Sequence, residues 1–387
     1  RCSNRQGSSA VSSPLGSRSA WQAVALLLSC SESCAPSLLS TQVALSLAQQ
    51  LVSLPRVPRL LLLTCGTQSV HASPASSDAA HGGVWGFARV LRLEHAGLRT
   101  QGTDMRSGAG AGADAGRALC SEGTSEAELA WGGAGGCFAS RLRRSGVRPA
   151  SASGSSSLSR GASLITGGLG GLGLRAAVLL VRHGAPRVVL ASRSGRVARD
   201  GQGLASQLHG LGARAEVVAC DRADPSDTCA LIGRCGKLVG VLHAAGVGDK
   251  GFLAELVPRR VHWMFAPKAF GAWYLHGALA AAPICAHVLY SSVGSGLGNV
   301  GQSNYAAANA YLDGQALSRR AHGMVGCSLQ WPLVGGAGMG AAAFAALAER
   351  QGSVTGMAGI TLDEYAACRG HQRWAGRGPS RTERRDH

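Results

Sequence analysis

Ser292, Tyr305, Asn309 and Lys268 are residue types that together can reduce a carbonyl. A tyrosine can protonate a ketone oxygen as hydride reaches the adjacent carbon, but its free pKa near 10 means that it needs help. A lysine ammonium nearby would lower that pKa, and a serine hydroxyl can hold the substrate oxygen. Tyr305 follows Ser292 by thirteen residues, and Asn309 lies one helical turn beyond Tyr305 on the same face. Ser291-Ser292 closes an apolar run that reads as a strand, and ligands of doubly wound sheets lie beyond the carboxyl ends of strands.

A second constellation suits a dinucleotide. Ser163 to Gly173 reads SLITGGLGGLG, a strand running into a glycine-rich turn, followed by a helical stretch from Leu174 to His183. Thr166, Gly167, Gly168, Gly170, Gly171, Leu172 and Gly173 are expected to cradle a pyrophosphate, with free N–H groups and the helix dipole facing the charge. The next strand, VLASR, has no acid at its end to hold a ribose 2′-hydroxyl. Ser192 and Arg193 stand there instead and suit a 2′-phosphate, which favours NADPH. Asp221 closes the third strand and can accept from the adenine amino group or cap a turn. Ala244, Ala245 and Gly246 end the fourth strand and leave room for a ribose.

The elements that must position these residues are legible in outline. Strands are predicted at 163–166, 187–191, 215–220, 238–243, 284–291 and 324–331, alternating with helical stretches, the pattern of a parallel doubly wound sheet. The first half has helical spacing over 21–28 and 41–54, a buried strand over 59–64 and an amphipathic helix over 83–95, with Val84, Phe87, Val90 and Leu91 on one face. Residues 98–123 read as irregular, and 127–142 as two short strands. Trp263, Phe270 and Trp273 read as core around Lys268, His243 as a packed histidine, Tyr311 as structural and His322 as a helix C-cap. Thr361 to Glu364 is a capping box.

Composition narrows the class. At 45% hydrophobic and 15% charged, the 387 residues exclude a mostly disordered chain and a coiled coil. No apolar stretch is long enough to span a membrane. The 12 cysteines form no CxxC pair, so neither zinc nor a disulfide scaffold is expected, and a reducing compartment suits them. The run Ala23 to Leu28 is short for a signal-peptide core, and the chain opens on Arg1 as a fragment would. The net charge of +17 is carried almost wholly by arginine and gathers in the tail, without the interleaved aromatics of a single-strand binder. An acidic partner fits it better than nucleic acid does.

TGGLGGLG, HAAGV, APKAFGAWYLH, SSVGSGLGNVGQSNYAAANAYLD and SLQWP resemble the ketoreductase domain of modular polyketide synthases and animal-type fatty acid synthases, a branch of the short-chain dehydrogenase/reductases. PRLLLLTCGT and AAHGGVWGFARVLRLEHAG resemble that family's non-catalytic subdomain. The resemblance implies an α/β fold: a doubly wound parallel, Rossmann-like catalytic subdomain preceded by a smaller, truncated Rossmann-like structural one. The expected organisation is a leader over 1–19, the structural subdomain over 20–147, a Ser-rich linker over 148–160, the catalytic subdomain over 161–368 and a basic tail over 369–387. Ordinary short-chain dehydrogenases carry lysine four residues after the tyrosine. Here Asn309 is at that position and Lys268 lies upstream, the swapped order of the synthase branch. The implied tetrad is Lys268, Ser292, Tyr305 and Asn309. The implied reaction is NADPH-dependent reduction of a 3-ketoacyl thioester carried on the phosphopantetheine arm of an acyl carrier protein, beside other synthase domains. Val247 to Gly251 replaces the LDD signature of one stereochemical class, and Leu297 replaces the tryptophan of the other, which leaves the configuration open. A non-catalytic scaffold and a reductase of free ketones are the alternatives.

Overall fold

The computed structural model describes residues 21–29, 34–68, 78–106, 110–120, 124–132, 136–142, 157–197, 202–336, 340–341, 345 and 359–365. The expected leader, most of the linker and the basic tail lie outside the described residues.

The first half is a five-stranded sheet in sequential order. Strands β1 (Ala23–Leu27), β2 (Arg59–Cys65), β3 (Gln101–Met105) and β4 (Glu128–Trp131) run parallel, and β5 (Cys137–Phe138) is antiparallel to β4. Between them run α1 (Leu38–Val52), α2 (Gly82–Glu94) and α3 (Ala111–Cys120). Two expectations are corrected here. The segment 21–28 is an edge strand, not a helix: a continuous apolar run this short does not distinguish the two, and pairing with β2 decides it. The segment 98–123 is not irregular but holds β3 and α3. The β3 sequence QGTDM lacks an apolar signature, although every residue of it is buried. Because the strand order never reverses, this sheet has no switch point among the described residues at which a ligand crevice would open.

The second half is the doubly wound sheet. Its order is β11 (Cys327–Trp331), β10 (Ala286–Ser292), β9 (Leu238–His243), β6 (Ala162–Thr166), β7 (Arg187–Ser192) and β8 (Ala215–Ala219), all parallel. The winding reverses between β6 and β9, which is where a ligand crevice opens. The crossovers use α4 (Gly171–Arg182), α5 (Leu204–Leu211) and α6 (Pro225–Cys235), then the run α7 (Pro258–Phe265), a π-helical turn (Ala266–Phe270) and α8 (Gly271–Ala278), then α9 (Val293–Leu297) and α10 (Ser303–Ala321). The signals that start these helices are physical. Asp224 accepts from the Ser226 and Asp227 N–H groups ahead of Pro225, where a missing N–H costs nothing. The Thr361–Glu364 box forms as expected: each residue's side chain accepts from the other's backbone N–H.

The two halves share one core. Leu60 and Leu62 of β2 and Val84, Phe87 and Leu91 of α2 cluster with Met264, Phe265, Ala307, Ala308, Tyr311 and Leu312 of the second half. At roughly 1.5–3 kcal/mol per fully buried large apolar side chain, this junction is a principal source of stability. The contact is close because it is made of small residues. A Cβ on Gly86 would lie 2.2 Å from the Ala306 carbonyl oxygen of α10. From Gly82 to Leu91 every residue of α2 except Arg89 is buried. The helix is therefore not amphipathic in practice: its second face meets the other half rather than water.

Candidate active site

β10 and α10 converge on the expected tetrad. Ser292, the last residue of β10, is the N-cap of α9, and its hydroxyl oxygen accepts from the Gly294 N–H at 3.1 Å, leaving its proton free to donate. Tyr305 stands in the first turn of α10. Asn309 Nδ2 donates to the Tyr305 carbonyl at 2.8 Å, and its Oδ1 is buried without a partner among the described residues. Lys268 occupies the π-helical turn, a distortion that often marks functional positions. Its ammonium donates to the Tyr290 carbonyl at 3.1 Å and lies 5.7 Å from the centre of the Tyr305 ring. The four expected residues are thus in one place, behind the carboxyl end of β10.

The electrostatics differ in one respect from the expectation. Burial pushes the Tyr305 phenol above its ordinary pKa, and hydrogen bonding to the Ser292 and Asn309 side chains only partly offsets this. The net shift is upward, opposite to the expected depression, although Lys268 lies over the ring. Burial also pulls the Lys268 ammonium down to about 8, with the Asp313 carboxylate opposing the shift. Tyr305 is therefore held protonated, the state that a proton donor needs.

The glycine turn is equally well placed. Thr166 ends β6, and Gly167 takes φ +68, the left-handed region that favours glycine. A Cβ there would lie 2.7 Å from the Ala244 backbone, one on Gly168 2.9 Å from Leu190 Cα, and one on Gly173 2.3 Å from the Gly167 oxygen. Exposed Gly170 is the N-cap of α4 with no side-chain cap, so the N-terminal N–H groups of Gly171, Leu172 and Gly173 face out of the turn unclaimed by a cap. This turn, with glycine at each close backbone approach and a helix N-terminus that no side chain caps, fits a pyrophosphate. Ser192 Oγ accepts from the Gly195 N–H at 3.1 Å, and Arg193 is exposed beside it. Asp221 Oδ1 accepts from the Ala223 N–H at 3.0 Å, so the turn-capping alternative is realised at one oxygen. Ala244 continues β9 through a bond to the Thr166 carbonyl, Ala245 is buried, and a Cβ on Gly246 would lie 2.8 Å from Lys268 Cε.

Several residues escaped the sequence reading. His243 is buried as expected, but it also bridges the two constellations, with Nδ1 2.7 Å from Thr166 Oγ1 and Nε2 2.9 Å from the Lys268 carbonyl. Burial pushes its pKa to about 3, so it is a neutral strut and not a base. Asp313 accepts from Ser295 at 2.6 Å, Ser328 at 2.5 Å and Gln330 at 2.8 Å, tying α9 and β11 to α10. Its position one turn beyond Asn309 was the available signal. Tyr365 bonds Tyr290 Oη at 2.7 Å and the Leu172 carbonyl at 3.0 Å. Arg222, next to Asp221, is buried with none of its guanidinium nitrogens partnered among the described residues, and burial lowers its pKa to about 10. Trp263 corrects another expectation: it is 45% exposed, because α7 turns that face outward, and Met264 and Phe265 fill the core instead.

Comparison with known proteins adds the following. A family model described as the KR domain matches residues 161–336. Polyketide synthase GfsB of Streptomyces halstedii is 39% identical over 301 residues, covering 75% of this chain and 5% of that protein. The pikromycin polyketide synthase component PikAIII of Streptomyces venezuelae is 35% identical over 316 residues, 80% of this chain and 20% of that one. The chain thus spans a small part of the curated relatives' length. Among solved structures, an A-type ketoreductase from a modular polyketide synthase superposes with TM-score 0.76 at 32% identity, covering 87% of this chain and 71% of that one. The first ketoreductase of the tylosin synthase gives 0.70 at 32%, covering 87% and 72%.

Proposed function

The chain belongs to the ketoreductase domains of modular polyketide synthases, a family that binds nicotinamide cofactors, and on that premise we propose that it reduces a 3-ketoacyl thioester to the 3-hydroxyacyl thioester with NADPH. The substrate would hang from the phosphopantetheine arm of an acyl carrier protein, an acidic partner suited to the net charge of +17. The observation that carries the reading is the convergence of Ser292, Tyr305, Asn309 and Lys268 at the carboxyl end of β10, beside the uncapped glycine cradle.

Bound in the cradle, the reduced nicotinamide would supply the hydride equivalent. Gly167 to Gly173 would hold the pyrophosphate, and Ser192 and Arg193 the 2′-phosphate. Ser292 donates to the ketone oxygen and fixes its position. Tyr305, protonated and within the reach of Ser292, delivers the proton as charge grows on that oxygen. The Lys268 ammonium offers a positive charge under the Tyr305 ring as the phenolate forms. Asn309 braces the Tyr305 turn through its carbonyl.

The test is NADPH oxidation with a short 3-ketoacyl thioester and, in parallel, a free ketone of the same length. Turnover of the thioester with little on the ketone is expected. A folded protein that binds NADPH yet reduces neither is a scaffold, and one that prefers the free ketone is a different reductase.

A further inference from the structure

The catalytic loops are fastened from outside, by the last turns of α2. Glu94 accepts at 2.7 Å from the Leu253 N–H through Oε2 and at 2.7 Å from the Gly301 N–H through Oε1. These two backbone groups belong to separate loops, one after β9 and one ahead of α10, and Gly301 sits four residues before Tyr305. Gly301 adopts φ +76, so few other residues would present their N–H there. The loops are also tied directly. The Gly251 N–H donates to the Gly301 carbonyl at 2.9 Å, and Gln302 Nε2 donates to the Asp249 carbonyl at 3.2 Å. Asn304 Nδ2 donates to the Asp249 carboxylate at 2.7 Å while its Oδ1 accepts from the Tyr305 N–H at 2.8 Å. Arg260 holds the same carboxylate at 2.6 and 2.9 Å. One turn earlier on α2, Arg89 Nη1 donates to the Ser295 carbonyl at 2.6 Å, in the short helix that Ser292 caps, while Glu128 holds the same guanidinium by two bonds at 2.7 Å.

We propose that Glu94, assisted by Arg89, is a positioning residue for the reduction: its carboxylate sets the spacing of the 249–255 and 298–302 loops and, through them, the approach of the acyl substrate to Tyr305. The proposal rests on the ketoreductase reading above. A carboxylate accepting two backbone N–H bonds is a stronger and stiffer tie than a neutral acceptor. The cofactor cradle lies on β6 and α4, and none of these bonds touches it, so the effect falls on the acyl substrate and not on the dinucleotide.

Glu94→Gln in the full chain tests this, because glutamine keeps the shape but turns an N–H₂ group toward one of the two backbone donors. Amide hydrogen exchange should accelerate in 249–255 and 298–304 and stay unchanged in β6 and α4. The kcat/KM for a short 3-ketoacyl thioester should fall by at least about tenfold, with the NADPH Kd within about twofold of wild type. Unchanged exchange and kinetics overturn the proposal. So does a parallel loss of NADPH affinity, or a variant that does not fold, since either makes Glu94 a general structural residue. If the wild-type protein itself reduces no thioester, the ketoreductase reading fails separately, and the exchange pattern alone decides whether Glu94 fastens the loops.

Discussion

Individual side chains set three expectations. Tyr305→Phe removes only the hydroxyl, so turnover should fall by on the order of 10²–10⁴, the usual worth of a positioned acid, with NADPH affinity by fluorescence unchanged. Near-normal turnover in a folded variant would remove Tyr305 from the chemistry. Arg193→Ala should raise the KM for NADPH and leave NADH use nearly unchanged, because only the former carries the 2′-phosphate. An equal loss with both would show that Arg193 is merely surface charge. Lys268 makes a statement about stability as well. It holds its proton to about 10.5 when unfolded but only to about 8 when folded, because burial disfavours its charge. Between those values unfolding takes up a proton, so this group's contribution improves as pH rises from about 8, and its cost is fully present below. Lys268→Met should therefore slow reduction, and its stability relative to wild type should be more favourable at pH 7 than at pH 10, because only the lower pH carries the cost of the buried charge. Denaturant unfolding at the two pH values reads this, and an equal difference from wild type at both would refute it.

The elements show what a sequence can and cannot reveal. The six strands of the doubly wound sheet were legible to within a few residues, because buried parallel strands are short apolar runs between turn signals. The glycine turn and the Ser292–Tyr305–Asn309 spacing were legible because they are local. What escaped was what depends on partners distant in the chain: β1, whose strand state comes from β2; β3, buried without an apolar sequence; and Asp313, His243 and Tyr365, whose bonds reach across 15 to 193 residues. The α2–α10 contact was hidden for the same reason, since a glycine says nothing about the neighbour that needs its missing Cβ. Gly86→Val should wedge the two helices apart, cost several kcal/mol and lower turnover, as α10 carries Tyr305. Thermal unfolding and the thioester assay both check it. A variant of unchanged Tm and activity would mean that the helices are not so tightly set.

For the molecule as a whole, residues 20–147 are proposed to be a structural subdomain without which the catalytic one is incomplete. Removing it would bare Met264, Phe265, Ala307, Ala308 and Tyr311 together, a contiguous apolar face. Residues 148–368 expressed alone should be poorly soluble or unstable by light scattering and thermal unfolding; a soluble, monomeric and fully active fragment would disprove the role. Among the described residues no helix is long and apolar enough to cross a membrane. The interlock of Gly86 against Ala306 also bears on the building of chimeras. A splice in the serine-rich stretch near 150 looks natural on the primary sequence, but it would pair an α2 from one parent with an α10 from another. Donor and recipient must then match not in that stretch but along a seam of glycines and alanines 220 residues apart, and a graft that carries both helices together keeps the seam intact.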